Sequence, residues 1–383
     1  MSRSRQSGSF WPTATQRALL EVALGPAEEA SERWRALQPL DVTTLETGSF
    51  GLLPLLYERL RDVAPDDPQL PRLFGTYRSV WYRNQLLLDR LAMLLPLLRD
   101  RARVEPLLVG GMSALVRWYP RLGLRPVPQL DLIVEPEKAA ETIKVSTYSG
   151  WRAAAETRSS TILRDESQRV LVIHHGAPPE VAGPLGQAVV RVLREHALEL
   201  TDTEGVPCVL DAADEILFAC AMGARTMPVQ TCQWLVDVHR ALHSPEAPTP
   251  AALLERARRV RLVAQVRASV RYLAEIADDE VLQDYASPFN AERIGQRDRT
   301  AFALAGVGKS RVSGTAQVLG LYLHTTADDP PLRAVARLPR HLQERWEVKS
   351  LAAVPFVALR KTLRLRSPQS RPTVSERNRS ASS

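Results

Sequence analysis

Residues 107–134 read LLVGGMSALVRWYPRLGLRPVPQLDLIV. The apolar run LLV stops at Gly110-Gly111, a helix-like segment follows, and a second apolar run, LDLIV, is built around the isolated acid Asp131. A buried strand, a tight glycine turn, a helix and a second strand are expected in that order. In such a frame glycine lets backbone N–H groups come close to phosphate, and the helix N-terminus favours negative charge. The residue two before Asp131 shares its strand face and is Gln129, an amide where metal chemistry would want a second carboxylate.

Working outward, the segment upstream is helical in pattern. Leu19, Leu20, Ala23 and Leu24 share one helix face, which ends at Gly25-Pro26, and LLPLLYERLRDV closes at APDDPQLP. From about Leu73 to Arg101, Val80, Asn84, Leu87, Leu88, Leu91, Leu94, Leu95 and Leu98 recur at helical spacing, and Pro96 should kink that helix or end its regular part. Downstream, SSTILRDESQRVLVIHH alternates on either side of Asp165-Glu166-Ser167 and reads as a β-hairpin. From Gly183 onward DEILFACAMGAR, QTCQWLVDVHRALH and AALLERARRVRLVAQVRASVRYLAEIA are helical, and PCVLDAADE reads as the N-terminal cap of the first of them.

These periods predict an α+β protein. A flexible N-terminus (1–14) leads into a helical N-terminal region (15–103) and a small mixed-sheet core (104–182). A helical C-terminal domain (183–326) and a basic, partly disordered tail (327–383) follow. The 45% hydrophobic content suits a chain with a real core. No run approaches the ~18 apolar residues of a membrane span. No apolar h-region follows the basic N-terminus, so a cytoplasmic location is expected. Cys208, Cys220 and Cys232 form neither a CxxC pair nor a disulfide framework and are expected as buried or half-buried thiols. The formal charge is +7, but residues 331–383 hold 12 Lys/Arg against 3 Asp/Glu, so the rest of the chain is at −2. That placement gives no strong nucleic-acid signal and makes the tail the candidate contact for anionic surfaces.

The quoted stretch resembles the signature of an uncharacterised bacterial nucleotidyltransferase family within the DNA polymerase β-like superfamily. That pattern is an apolar strand, Lys-Gly or Gly-Gly, a short helix ending near Tyr-Pro, Gly-x-Arg-Pro, and Asp-x-Asp-Leu-Leu-Val. The match runs through Gly110, Gly111, Ala114, Leu115, Tyr119, Pro120, Gly123, Arg125, Pro126, Asp131, Leu132 and Val134. IHHGAP resembles the family's Asp-Leu-His-Trp strand and TCQWLVDVHRALH its Trp-x-x-Asp helix, so the likeness spans roughly residues 15–290. It implies a nucleotidyltransferase-like mixed sheet, an NTP as substrate with an unknown acceptor, and Mg²⁺ or Mn²⁺ held by three carboxylates. By that resemblance Gly110, Gly111, Ser113 and Arg125 would serve the phosphates, while Asp131 and His174 would serve the metal.

The departures are at the acids. Gln129 replaces the first carboxylate, and the third falls at Val172 if His174 matches the family histidine, or at Ile173 if His175 does. One acid in place of three makes a poor Mg²⁺ cage, which predicts impaired transfer or a non-catalytic relative that binds a nucleotide or a protein partner. If the site is active, Asp131 carries the metal and Gln129 orients a ligand or metal-bound water. The more ordinary reading of His174 is a hydrogen-bonded strand histidine. Arg125 either neutralises phosphate or pairs with Asp131, Glu135 and Asp165 are candidate replacement acids, and Trp234 and Asp237 are expected as helix packing and a surface or capping acid. ALAGVGKS (303–310) satisfies a loose phosphate-loop pattern with only AFALA as its strand, and LAAVPFVALRKTLRLR is a basic, partly apolar terminal segment interrupted by Pro355. No Ser-His-Asp motif, zinc spacing or dinucleotide fingerprint stands out.

Overall fold

The structure is a computed structural model that describes residues 10–200, 208–225, 231–307, 313–346, 348 and 350–357 of the 383-residue chain. Helix α1 (Ala14–Leu24) starts at a reciprocal cap: the Thr13 hydroxyl accepts the Gln16 N–H, and the Gln16 side chain accepts the Thr13 N–H. Phe10 and Trp11, just ahead of it, are buried in the core. Helices α2 (Leu53–Val63) and α3 (Leu70–Leu97) complete the N-terminal platform. Pro96 sits at the end of α3, and a π-helical turn, Leu98–Ala102, takes over directly after it. The proline removes one helical N–H, so the regular part ends there as expected.

The sheet has the order β1-β2-β5-β4-β3. Its strands are β1 (Leu107–Val109), β2 (Gln129–Val134), β3 (Arg152–Glu156), β4 (Ser160–Arg164) and β5 (Val170–His175). β1 runs antiparallel to β2, β2 parallel to β5, and β5, β4 and β3 are successively antiparallel. Helix α4 (Gly111–Trp118) links β1 to β2, and α5 (Ala139–Tyr148) follows β2. Strands β1, β2 and β5 bury Leu107, Leu108, Leu132, Ile133, Leu171 and Ile173, which is why the apolar runs are continuous rather than alternating.

The β4–β5 hairpin forms where it was expected. Asp165 holds its turn by accepting the N–H groups of Ser167 at 2.9 Å and Arg169 at 3.0 Å. The edge strand β3 carries no hydrophobic signal, because RAAAE is exposed throughout and is a strand only through its pairing with β4.

The C-terminal half is helical: α6 (Ala212–Gly223), α7 (Gln233–Leu242), α8 (Pro250–Arg259), α9 (Val263–Ala277), α10 (Glu280–Ala291), α11 (Gln296–Ala305), α12 (Ser313–Thr325) and α13 (Pro331–Arg345). Asp211 caps α6 by accepting the Asp214 N–H at 2.9 Å, the role read from PCVLDAADE. Helix α6 is buried along Ala212–Ala221, and α7 packs against both α6 and α4, which brings the helical half onto the glycine turn.

AFALA lies within α11, so a helix stands where a phosphate loop needs a strand, and residues 308–310 of that pattern lie outside the described residues. Helix α13 falls inside the stretch expected as a tail, and LAAVPFVALRKTLRLR is described only through residue 357. Cys220 and Cys232 are buried and Cys208 half-buried, all as free thiols. Among the described residues no helix is long and apolar enough to cross a membrane.

Candidate functional site

A cavity of about 530 Å³ opens where the glycine turn, β2, α6 and α7 meet. Five of the seven candidate site residues line it: Gly110, Gly111, Arg125, Gln129 and Asp131. Glu215 and Phe218 join from α6, and Trp234 and Asp237 from α7. Ser113 and His174 stand behind this lining and act through Glu215 and Asp131.

On the strand side, the parallel register sets Asp131 beside Val172 and Ile133 beside His174. Of the two adjacent histidines it is His174 that faces Asp131, with Val172 on the same strand face; His175 turns the other way to bond Thr161 Oγ1 at 2.9 Å. Asp131 is closed by its neighbours. Gln129 Nε2 donates to both its oxygens, at 2.9 and 3.0 Å, and His174 Nε2 lies 2.9 Å from Oδ1. A two-metal centre needs several hard oxygen ligands converging on the ions. Here the three strand positions are an amide, one engaged carboxylate and an isopropyl group, and these residues do not fit that centre. Neither replacement acid reaches the cavity: Glu135 pairs with Arg194, and Asp165 pairs with Arg169 and Arg90.

The helix side carries two acids that the pattern did not place there. Glu215, on the buried first turns of α6, accepts the Gly110 N–H on Oε1 at 2.9 Å and the Ser113 hydroxyl on Oε2 at 3.0 Å. Burial pushes its carboxyl up to about 8, so near neutrality it is largely protonated. The only hint in the sequence was an acid followed directly by the apolar run ILFACA, where a solvated surface residue is out of place. Gly110 has φ +66° and ψ −136°, a backbone state open to glycine and few other residues. The Gly110 N–H, at the start of that turn, points at this chain's own carboxyl group.

Asp237 is buried, and this corrects its expectation as a surface or capping acid. It takes Arg125 in a two-pronged pair, Nε to Oδ1 at 2.8 Å and Nη2 to Oδ2 at 2.6 Å, while the Tyr119 hydroxyl donates to Oδ1 at 2.8 Å. The Arg125–Asp131 pair weighed from sequence is likewise replaced by Arg125–Asp237. Burial alone would lower the Arg125 pKa, but the Asp237 carboxylate outweighs it and holds the guanidinium charged; burial and Asp237 together raise the Tyr119 phenol. Gly111 serves this pair, since a Cβ there would stand 2.4 Å from Arg125 Nη1.

The loop carrying Arg125 is fixed by a residue that helical spacing had placed among leucines. Asn84 on α3 donates to the carbonyls of Leu122 at 2.6 Å and Arg125 at 2.7 Å and accepts the Val127 N–H at 3.2 Å, so every bond of this buried amide holds the loop.

In sum of charge, three acids from three elements border one cavity, yet Glu215 is held protonated and Asp237 is neutralised by Arg125, which leaves Asp131. No curated protein matches the chain. A family model described as an uncharacterised nucleotidyltransferase matches residues 49–278, a span that takes in the glycine turn, both central strands and the helices bearing Glu215 and Asp237. The glycine turn, the acid strand beside it and the buried helices that close over them are therefore those of a chain that belongs to this uncharacterised nucleotidyltransferase family.

Proposed function

We propose that this member of the family has given up metal-dependent nucleotidyl transfer and uses the cleft for binding without catalysis, with a nucleotide as its ligand. The observation that carries this reading is the double occupation of the site by its own side chains. The acid positions read Gln129, Asp131 and Val172, and the groups that the resemblance assigns to phosphate are engaged within the fold, Gly110 and Ser113 by Glu215 and Arg125 by Asp237. Catalysis of phosphoryl transfer is mainly charge neutralisation and positioning, so a site short of both metal ligands and free donors loses both contributions. The cavity itself persists, with aromatic walls at Phe218 and Trp234 suited to the face of a base and with Arg83 at its edge.

The test is to titrate the purified chain with ATP, GTP, CTP and UTP, with and without Mg²⁺ or Mn²⁺, and to incubate it with labelled NTP and lysate. Binding indifferent to the metal, with no label transferred, is the expected result. Tightening by metal that Asp131→Ala abolishes, or a transferred label, would establish a working transferase using Asp131 and His174. Absence of all nucleotide binding would turn the cleft into a protein-docking or purely architectural feature.

A further inference from the structure

Where α7 meets the start of α10, a second polar cluster stands apart from the cleft. His239 on α7 and His243, which caps that helix at its C-terminal end, are four residues apart, so their rings lie on one side with centroids 4.2 Å apart. Asp279, the N-cap of α10, reaches the same point: its Oδ1 accepts the Val281 N–H at 2.7 Å and its Oδ2 meets His243 Nε2. One ligand atom from each of the three residues falls within 4.8 Å of the others. His243 Nδ1 donates to the His239 carbonyl at 2.7 Å, which leaves Nε2 as the nitrogen facing the cluster. His239 Nδ1 is buried and has no hydrogen-bond partner among the described residues.

We propose that His239, His243 and Asp279 bind a zinc-class divalent transition-metal ion, whose remaining coordination position faces a cavity of about 750 Å³ bordered by α1, α2 and α7. Two imidazoles and one carboxylate are a donor set for zinc, copper or nickel rather than for magnesium. Tetrahedral zinc holds such atoms at ~2.0–2.2 Å, which sets them roughly 3.4 Å from one another, within small side-chain rotations of this arrangement. A ligating histidine normally donates its other ring N–H to a carbonyl or carboxylate, as His243 does, and the Asp279 carboxylate is anchored by its capping bond. In the metal-free protein a proton holds His243 to Asp279. Coordination puts the cation between them, and that proton leaves to solvent.

Nearby cations do not fill the place, because Arg240 lies over the Tyr119 ring and pairs with Glu58. Among the described residues the other cluster of this kind, His196, Asp211 and Asp214, differs on this point: Arg256 bridges its carboxylates at 2.6 and 2.9 Å and already supplies the positive charge.

The experiment titrates the metal-stripped full-length chain with Co²⁺, follows its visible ligand-field absorption, and displaces it with Zn²⁺. One equivalent with a four- or five-coordinate spectrum is expected, weakened by more than ~100-fold, beyond what loss of an outer-shell partner costs, in His243→Gln and in Asp279→Asn, each with an unchanged circular dichroism spectrum. The two substitutions lie on different helices, so a folding failure in one leaves the other decisive. The assignment is overturned if no Co²⁺ spectrum appears, if both folded variants keep it, or if it is lost instead in Asp131→Asn, which would put the ion in the cleft.

Discussion

The two walls of the cleft solve the same problem differently. The strand wall presents one carboxylate, Asp131, held by a neutral amide and an imidazole, beside Val172 where another acid would complete a metal cage. The helix wall is rich in acids, yet each is closed onto a donor at the turn or its flank: Glu215 onto Gly110 and Ser113, Asp237 onto Arg125. One carboxylate held by an amide and an imidazole on one wall, and donors taken up by buried acids on the other, leave the same result, a cavity in which Asp131, Glu215, Asp237 and Arg125 are engaged within the fold. The comparison teaches that a family's residues can persist while their bonds turn inward, since a buried polar group is stable only with a partner.

That contrast is broken most directly at Asp237. Asp237→Ala strands the buried Arg125 guanidinium and the Tyr119 hydroxyl, and a cost of about 3–5 kcal/mol in urea unfolding is expected. A loss below ~1 kcal/mol, the level of an exposed pair, would show that the helix wall is not the closed network described here.

Glu215 sharpens it through pH. Its folded value, about 8, lies above its ordinary value of 4.5, so the folded chain holds the proton more tightly than the unfolded chain. Its contribution is fully present below about 4.5 and is lost as pH rises through about 8, a decline of a few kcal/mol across that window. Glu215→Gln, a neutral isostere, should flatten the fall in denaturation midpoint between those values, and an unchanged slope would mean that other groups cause it.

The smallest effect is expected at the turn itself. Gly110→Ala forces a left-handed backbone on a residue with a side chain and brings its Cβ to 3.3 Å from the Phe218 ring, costing roughly 1–3 kcal/mol. A neutral substitution would mean that the turn relaxes freely and holds no fixed cradle for Glu215 to close.

Much of this was legible in the chain. The two central strands, the Gly110 turn, the β4–β5 hairpin, the Asp211 cap and the end of α3 at Pro96 all follow from local periodicity and backbone chemistry, which act over a few residues. Edge strand β3 was not legible, because its small exposed residues owe their conformation to β4. Asn84 read as one more member of a helical stripe, since spacing reports which side of a helix is buried and not what a polar group meets there. Asp237 read as a surface or capping acid for the same reason.

By itself, then, the amino-acid sequence determined the architecture around the turn, the amide and the valine that share a strand wall with Asp131, and the concentration of positive charge at the C-terminal end. Only the tertiary structure decided what the remaining polar groups do. Glu215 reaches Gly110 across 105 positions of chain, Asp237 reaches Arg125 across 112, and Asp279 meets His243 across 36. Bond partners, burial and protonation are set by neighbours in space, and no local pattern encodes a neighbour that far along the chain.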